Sequence, residues 1–304
     1  MDWTTAFDKK VAEYLPDLRI AKDEPMSAHT AFRIGGPAKR MAFPQNGEQM
    51  VLLVSIAEEC GTKPLVIGNG TNILICDEGL DRLVIDTSGM NRMELGEDGR
   101  ITAEAGVVLA KLADFACRNG LTGLEFAHGI PGMLGGAVCM NAGAYNGEMK
   151  QVIESVTVLI PDEGVKTFSC EEMAFSYRHT ALDEKPGAVV LRAVLKLSAG
   201  DEETIREKMR ELMARRKASQ PLEYPSAGST FKRPAGHFAG ALIQQCGLKG
   251  RTVGGAQVSE KHAGFVINIG GATFADVTEL IRQVQETVLA ETGVQLEPEV
   301  KIIR

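Results

Sequence analysis

Residues 129–137 read Gly129-Ile130-Pro131-Gly132-Met133-Leu134-Gly135-Gly136-Ala137, four glycines in nine positions. Each glycine weakens a helix by about 1 kcal/mol relative to alanine, so a plain core helix explains the stretch poorly. Backbone wrapped closely around a ligand explains it better, because glycine lets main-chain N–H groups approach an anion. Two further glycine clusters lie upstream. One is Phe32-Arg33-Ile34-Gly35-Gly36-Pro37-Ala38; the other, Gly68-Asn69-Gly70-Thr71-Asn72, follows the short apolar run Pro64 to Ile67. As a dinucleotide fingerprint the second fails, since Ile73 stands where the third glycine of GxGxxG belongs and no helical pattern follows. It reads as a phosphate-holding loop or as a tight turn between strands. Three such clusters in the first half of the chain point to one large, phosphate-bearing ligand.

Composition narrows the class of protein. The 304 residues are 44% hydrophobic and 24% charged, enough to build sizeable cores and against a disordered chain. With 33 Lys and Arg against 40 Asp and Glu the net charge is −7, which carries no basic nucleic-acid footprint and no polybasic membrane patch. The longest stretch without a formal charge, Phe126 to Gly147, holds six glycines, Pro131, His128, Asn141 and Asn146, a loop composition and not a membrane helix. Six scattered cysteines without a CxxC suit buried thiols in a reducing compartment, and no metal site is expected. The chain opens without a basic and apolar leader, so a soluble cytoplasmic protein is expected.

Periodicity predicts helices over about 47–60, 109–118, 202–217, 238–246 and 273–291. The last opens on a Thr273/Asp276 capping box and buries Val277, Leu280, Ile281, Val284 and Val288. Strands are expected at 64–67, 73–75, 155–160, 188–197, 264–269 and 299–303, with a polar, turn-rich segment between the third and fourth of these. Helices and strands mix throughout, giving class α+β. A composition change places a domain boundary within about 198–220.

These features resemble the UDP-N-acetylenolpyruvoylglucosamine reductase family. The resemblance rests on HTAFRIGGPA (29–38), GNGTNILI (68–75), GIPGMLGGAVCMNAGAYNGEM (129–149), SYRHT (176–180), PSAGSTFKRPAGHFAGALIQQCGLKG (225–250), GGAQVSEKHAGFVIN (254–268) and LEPEV (296–300). It implies an FAD-binding domain of the vanillyl-alcohol-oxidase type, two α+β subdomains over residues 30–198, after an N-terminal helical extension (1–29). A smaller α+β substrate domain would cover 205–298, and the strand 299–304 would return to the active site. Gly68, Asn69, Gly70, Thr71 and Asn72, with Ile130, Pro131, Gly132, Gly135 and Gly136, would hold the pyrophosphate of a non-covalent FAD, with Arg33 nearby.

The family's reaction passes hydride from NADPH to FAD and then to the enolpyruvyl ether of UDP-N-acetylglucosamine. Such chemistry needs a cation, a carboxylic group and a proton donor. By the resemblance Arg178 would stabilise charge on the substrate's carboxylate, Ser229 would protonate the enolic intermediate and Glu299 would stabilise it. Lys217 would contact the substrate's phosphates, although Arg215, Arg216 and Lys217 also complement a helix C-terminus. Tyr145 and Lys232 would reach the uridine diphosphate or the sugar; the expected partner is thus a UDP-sugar, not nucleic acid or membrane. His262 reads as structural. Only 50 residues separate Arg178 from Ser229, which leaves no room for the inserted substrate loop of the longer members. Arg233 also stands where those members carry asparagine. Two alternatives remain at this level: another enzyme on the same flavin fold, some of which attach FAD through a histidine such as His128, and a non-catalytic nucleotide-binding protein.

Overall fold

The computed structural model describes residues 2–304, and they fall into two compact units interleaved along the chain. One comprises the chain up to Lys22, Arg40–Gly68 and Arg82–Arg215; the other comprises Asp23–Lys39, Asn69–Asp81 and Arg216–Arg304. The class is α+β, as expected.

In the first unit, a five-stranded antiparallel sheet runs in the order Gly164–Ser169, Ile153–Ile160, Val189–Lys196, Arg100–Glu104, Met93–Leu95. Val156, Val158, Ala193, Leu195, Ile101 and Ala103 turn one apolar face of it into a core. The helix Leu109–Arg118 closes this core because Leu109, Leu112, Ala113, Ala116 and Cys117 recur at helical spacing. The strand Gly164–Ser169 lies inside the segment expected to be polar turns. It is exposed along almost its whole length, so backbone pairing to Ile153–Ile160 defines it and no apolar pattern announces it. A second core gathers Phe7 and Val11 of the helix Trp3–Tyr14 with Met50, Leu53, Val54 and Ala57 of the helix Gly47–Glu59. Asn46 caps the latter by accepting the Gln49 N–H at 2.9 Å. The α-helix of the N-terminal segment spans Trp3–Tyr14; the chain then becomes the strand Ile20–Pro25, followed by a single 3-10 turn, Met26–Ala28.

In the second unit, three antiparallel strands, Thr252–Val253, Ala256–Val258 and Val266–Asn268, pack beneath the helix Phe274–Thr292. That helix keeps its expected capping box and ends on Gly293 in the left-handed conformation. Its core also takes Phe32, Ile34 and Leu74 from the two earlier chain segments. The closing strand Lys301–Ile303 pairs parallel with Ile73–Ile75 in the register Lys301↔Ile73. No helix is long and apolar enough to cross a membrane among the described residues.

Candidate functional site

Five of the sequence-selected positions lie on one zipped segment of the first unit. The Leu109 N–H donates to Gly132 O at 3.0 Å, and the Leu134 and Gly135 N–H groups donate to Val107 O and Ala105 O, each at 2.8 Å. This stitching fixes one edge of 132–135. Among the described residues no acceptor meets the N–H groups of Gly132, Met133 and Gly136. The glycines differ in cause. A Cβ on Gly135 would stand 2.9 Å from the Ala105 Cβ, so close packing requires that glycine, whereas Gly136 faces open space. Ile130 packs against the core, Pro131 is exposed, and a Cβ on Gly68 would press on Met133. Nearby in sequence, His128 Nδ1 is buried with no hydrogen-bond partner among the described residues.

Tyr145 and Arg178 occupy two tight turns of the same unit. Gly143–Ala144 pairs with Gly147–Glu148, which leaves Tyr145 (φ 51°) and Asn146 (φ 67°) as a two-residue loop of the kind that needs positive φ twice. Gly147 admits no side chain, since its Cβ would fall 2.5 Å from the Phe126 ring. The Arg215 guanidinium stands 5.0 Å from the centroid of the Tyr145 ring. Arg178 (φ 55°) sits at the third position of the Ser176–His179 turn, where glycine is the ordinary residue. Non-glycine residues in this region store about 1–3 kcal/mol of strain and concentrate at functional sites.

The second unit assembles the rest. Asn69, Gly70 and Thr71 connect two short strands, as the turn reading has it, yet among the described residues no acceptor meets their N–H groups either. Gly70 is obligatory: at φ 57° its Cβ would lie 2.1 Å from His29 O. Arg33 is exposed on a turn held by buried Thr30, whose hydroxyl contacts Ile34 O at 2.8 Å. Ser229 opens a short irregular strand. Thr230 N–H donates to Gly264 O at 2.8 Å on one side, and on the other Thr230 O accepts the Glu299 N–H at 2.8 Å. The Asn72 side chain donates to Glu299 O at 3.2 Å. Ser229, Glu299 and the glycine-rich loop are therefore parts of one hydrogen-bonded scaffold. Lys232 is exposed and 3.4 Å from Glu297, while Lys217 is exposed in the last turn of the helix Glu202–Ser219 and lends its carbonyl to Lys261 Nζ. His262 is structural in its contacts. Its Nδ1 accepts the Gly264 N–H at 3.1 Å, and burial holds its pKa below the usual value.

Each loop by itself has the chemistry to take a phosphate group of a diphosphate cofactor: glycine-flanked N–H groups in both, and beside 129–136 the orphaned imidazole nitrogen of His128. Among the described residues no cluster of three or more His, Cys, Asp or Glu is placed to hold a metal. Two contributors escaped the sequence reading of the site. Arg215 was legible only as a helix-end charge, and the buried Asn141 carries no sequence signal beyond its place between glycine-rich stretches.

Comparison with known proteins agrees with this picture. Residues 38–169 match a family described as an FAD binding domain, and residues 220–303 match the C-terminal domain of UDP-N-acetylenolpyruvoylglucosamine reductase. A UDP-N-acetylenolpyruvoylglucosamine reductase of Caldanaerobacter subterraneus subsp. tengcongensis is 48% identical over 294 residues, 97% of each chain. One from Agathobacter rectalis is 50% identical over 98% of each. The crystal structure of the enzyme from Thermus caldophilus superimposes with a TM-score of 0.80 at 36% identity, covering 94% of this chain and 99% of that one. The glycine loops, the Ser229–Glu299 scaffold and end-to-end similarity converge: the chain belongs to the UDP-N-acetylenolpyruvoylglucosamine reductase family.

Proposed function

We propose that the chain reduces UDP-N-acetylglucosamine enolpyruvate to UDP-N-acetylmuramate, at the expense of NADPH, for peptidoglycan precursor synthesis. The observation that carries the reading is the shared scaffold: Thr230 binds the Glu299 N–H, and Asn72 of the glycine-rich loop binds the Glu299 carbonyl. FAD bound at the glycine loops supplies a two-electron relay from NADPH to the alkene. The chain's own residues do the remainder. Arg178 pairs with the substrate's carboxylate and so stabilises the charge that grows there as the double bond is lost. Glu299 hydrogen-bonds the enolic form. Ser229, exposed at the start of its strand, gives the proton that completes the saturated ether. A hydroxyl is a weak acid, so placement and the neighbouring Glu299 strand must assist it.

Lys217, Lys232 and Tyr145 form the proposed grip on the uridine diphosphate and sugar, with Arg215 stacked beside Tyr145. In this reading residues 30–198 serve the flavin, 205–298 serve the substrate, and 299–304 bring the glutamate back. One pocket serves NADPH and substrate in turn, and the cytoplasm, which supplies both nucleotides, is the proposed location.

Anaerobic stopped-flow spectroscopy tests the proposal. NADPH should bleach the oxidised-flavin band, and UDP-N-acetylglucosamine enolpyruvate should restore it. Bleaching without return would sink the proposed substrate. Parallel initial-rate lines are expected for alternating use of the pocket; intersecting lines would contradict it.

A further inference from the structure

Asn141 is 1% exposed and stands in the left-handed region at φ 39°. Its amide uses both N–H donors and accepts once on the oxygen. Nδ2 donates to Glu148 Oε2 and to Ser176 O, each at 3.1 Å, and Oδ1 accepts the Lys150 N–H at 3.0 Å. Glu148 closes the hairpin that carries Tyr145, and the Ser176 carbonyl opens the turn that carries Arg178. One buried side chain thus ties together two turns, each of which presents its residue at positive φ.

We propose that Asn141 is a positioning residue that holds the Arg178 turn against the Tyr145 hairpin, and so sets Arg178 for the substrate's carboxylate. The inference rests on the proposed role of Arg178. The physical reason is strain. An arginine at φ 55° relaxes to ordinary backbone unless its surroundings over-determine the turn. The Tyr177 ring, 4.9 Å from the guanidinium carbon, rides on the same turn. The Ser176 carbonyl that opens the turn is an external anchor for it, because Asn141 pins that carbonyl to a second element.

Calorimetry on the FAD-loaded full chain tests this, using two ligands that differ in the carboxylate. The wild type should bind UDP-N-acetylglucosamine enolpyruvate more tightly than UDP-N-acetylglucosamine. Asn141→Gly accepts the same backbone conformation but deletes the ties. It should shrink that preference about tenfold while changing UDP-N-acetylglucosamine affinity far less, since misplacement of about 1 Å costs up to about 10²-fold in such sites and the Tyr145 hairpin keeps its own backbone pairing. Arg178→Ala should abolish the preference, and Asn141→Gly added to it should change nothing more. A preference that survives Arg178→Ala removes the role of Arg178, and that of Asn141 with it. A preference lost in Arg178→Ala but intact in Asn141→Gly overturns the positioning role alone. Equal loss for both ligands, or additive loss in the double variant, marks ordinary structural damage and overturns it as well. Should Asn141→Gly fail to give a folded flavoprotein, Asn141→Asp takes its place. It keeps the Lys150 contact and the volume, replaces both donations with a carboxylate that Glu148 repels, and carries the same expectations.

Discussion

Arg178 shows how one residue sets function against stability. Its left-handed backbone is the natural place for glycine, yet the proposed chemistry needs a guanidinium there. Arg178→Gly and Arg178→Ala both delete the cation, but only alanine keeps the steric penalty. The glycine variant should therefore be more stable than the alanine variant by about 1 kcal/mol in denaturant melts, with both equally unable to turn over the enolpyruvyl substrate. A glycine variant no more stable than the alanine one would mean that the turn relaxes without strain. Ser229→Ala tests a different term. Loss of a proton donor costs about 10²–10⁴-fold, so flavin reoxidation by substrate should slow by that factor while flavin reduction by NADPH and FAD retention stay near wild type. Glu299→Ala should affect the same half-reaction. Normal turnover in both variants would remove the Ser229–Glu299 pair from the mechanism.

At the scale of elements, what was legible and what was not divides along a physical line. The helices Gly47–Glu59 and Phe274–Thr292 were readable because their N-terminal signals and apolar periodicities are local: Asn46 for the first, Thr273 with Asp276 for the second. The exposed strand Gly164–Ser169 was not, because its partner supplies its order. The strand that carries Ser229 is more extreme, held by isolated pairings of 229–231 to Phe265 and Pro298 with no alternation to read. Buried Thr230 is its anchor, accepting the Val266 N–H on its hydroxyl at 2.9 Å. Thr230→Val keeps the shape but orphans that buried donor, so the urea midpoint should fall by an amount worth about 1–3 kcal/mol with the m-value unchanged. His262 braces the same strand through Gly264. Burial depresses its pKa, so the unfolded chain binds the extra proton as pH falls. The stability it contributes is present in full above about pH 6.5 and is lost as pH drops below that value toward the lower folded pKa. His262→Asn, whose amide can take the Gly264 N–H without titrating, should show a shallower decline in Tm across that window. An unchanged slope would mean that another group governs it.

On the scale of the whole molecule, the glycine clusters, the cofactor class and the family were legible, because a close backbone approach and a motif order survive in one dimension. The interleaving was not. A composition change near 198–220 marks one crossing of the chain between compact units, but nothing local reveals that Asp23–Lys39 and Asn69–Asp81 complete the unit containing Arg216–Arg304. Core partners some two hundred residues apart leave no periodic trace. The consequence is measurable. A fragment of residues 205–304, the substrate domain and tail as sequence delimits them, would lack Phe32, Ile34 and Leu74, which are 1%, 2% and 0% exposed in this unit. Each such side chain contributes about 1.5–3 kcal/mol when fully buried, and domains are stable by only about 5–15 kcal/mol in total. The strand Lys301–Ile303 would also lose its partner, Ile73–Ile75. The fragment should therefore show helical content from Phe274–Thr292 but no cooperative thermal transition. The full chain should melt cooperatively, with Tm rising as excess FAD is added, because a ligand at about 100 times its Kd stabilises by about 2.7 kcal/mol. Acid precipitation of the full chain should leave all flavin in the supernatant; flavin in the pellet would implicate His128 in a covalent link. A sharp, reversible melt of the isolated fragment would show that Phe32, Ile34 and Leu74 are dispensable, and that the compact units owe nothing essential to the chain's return.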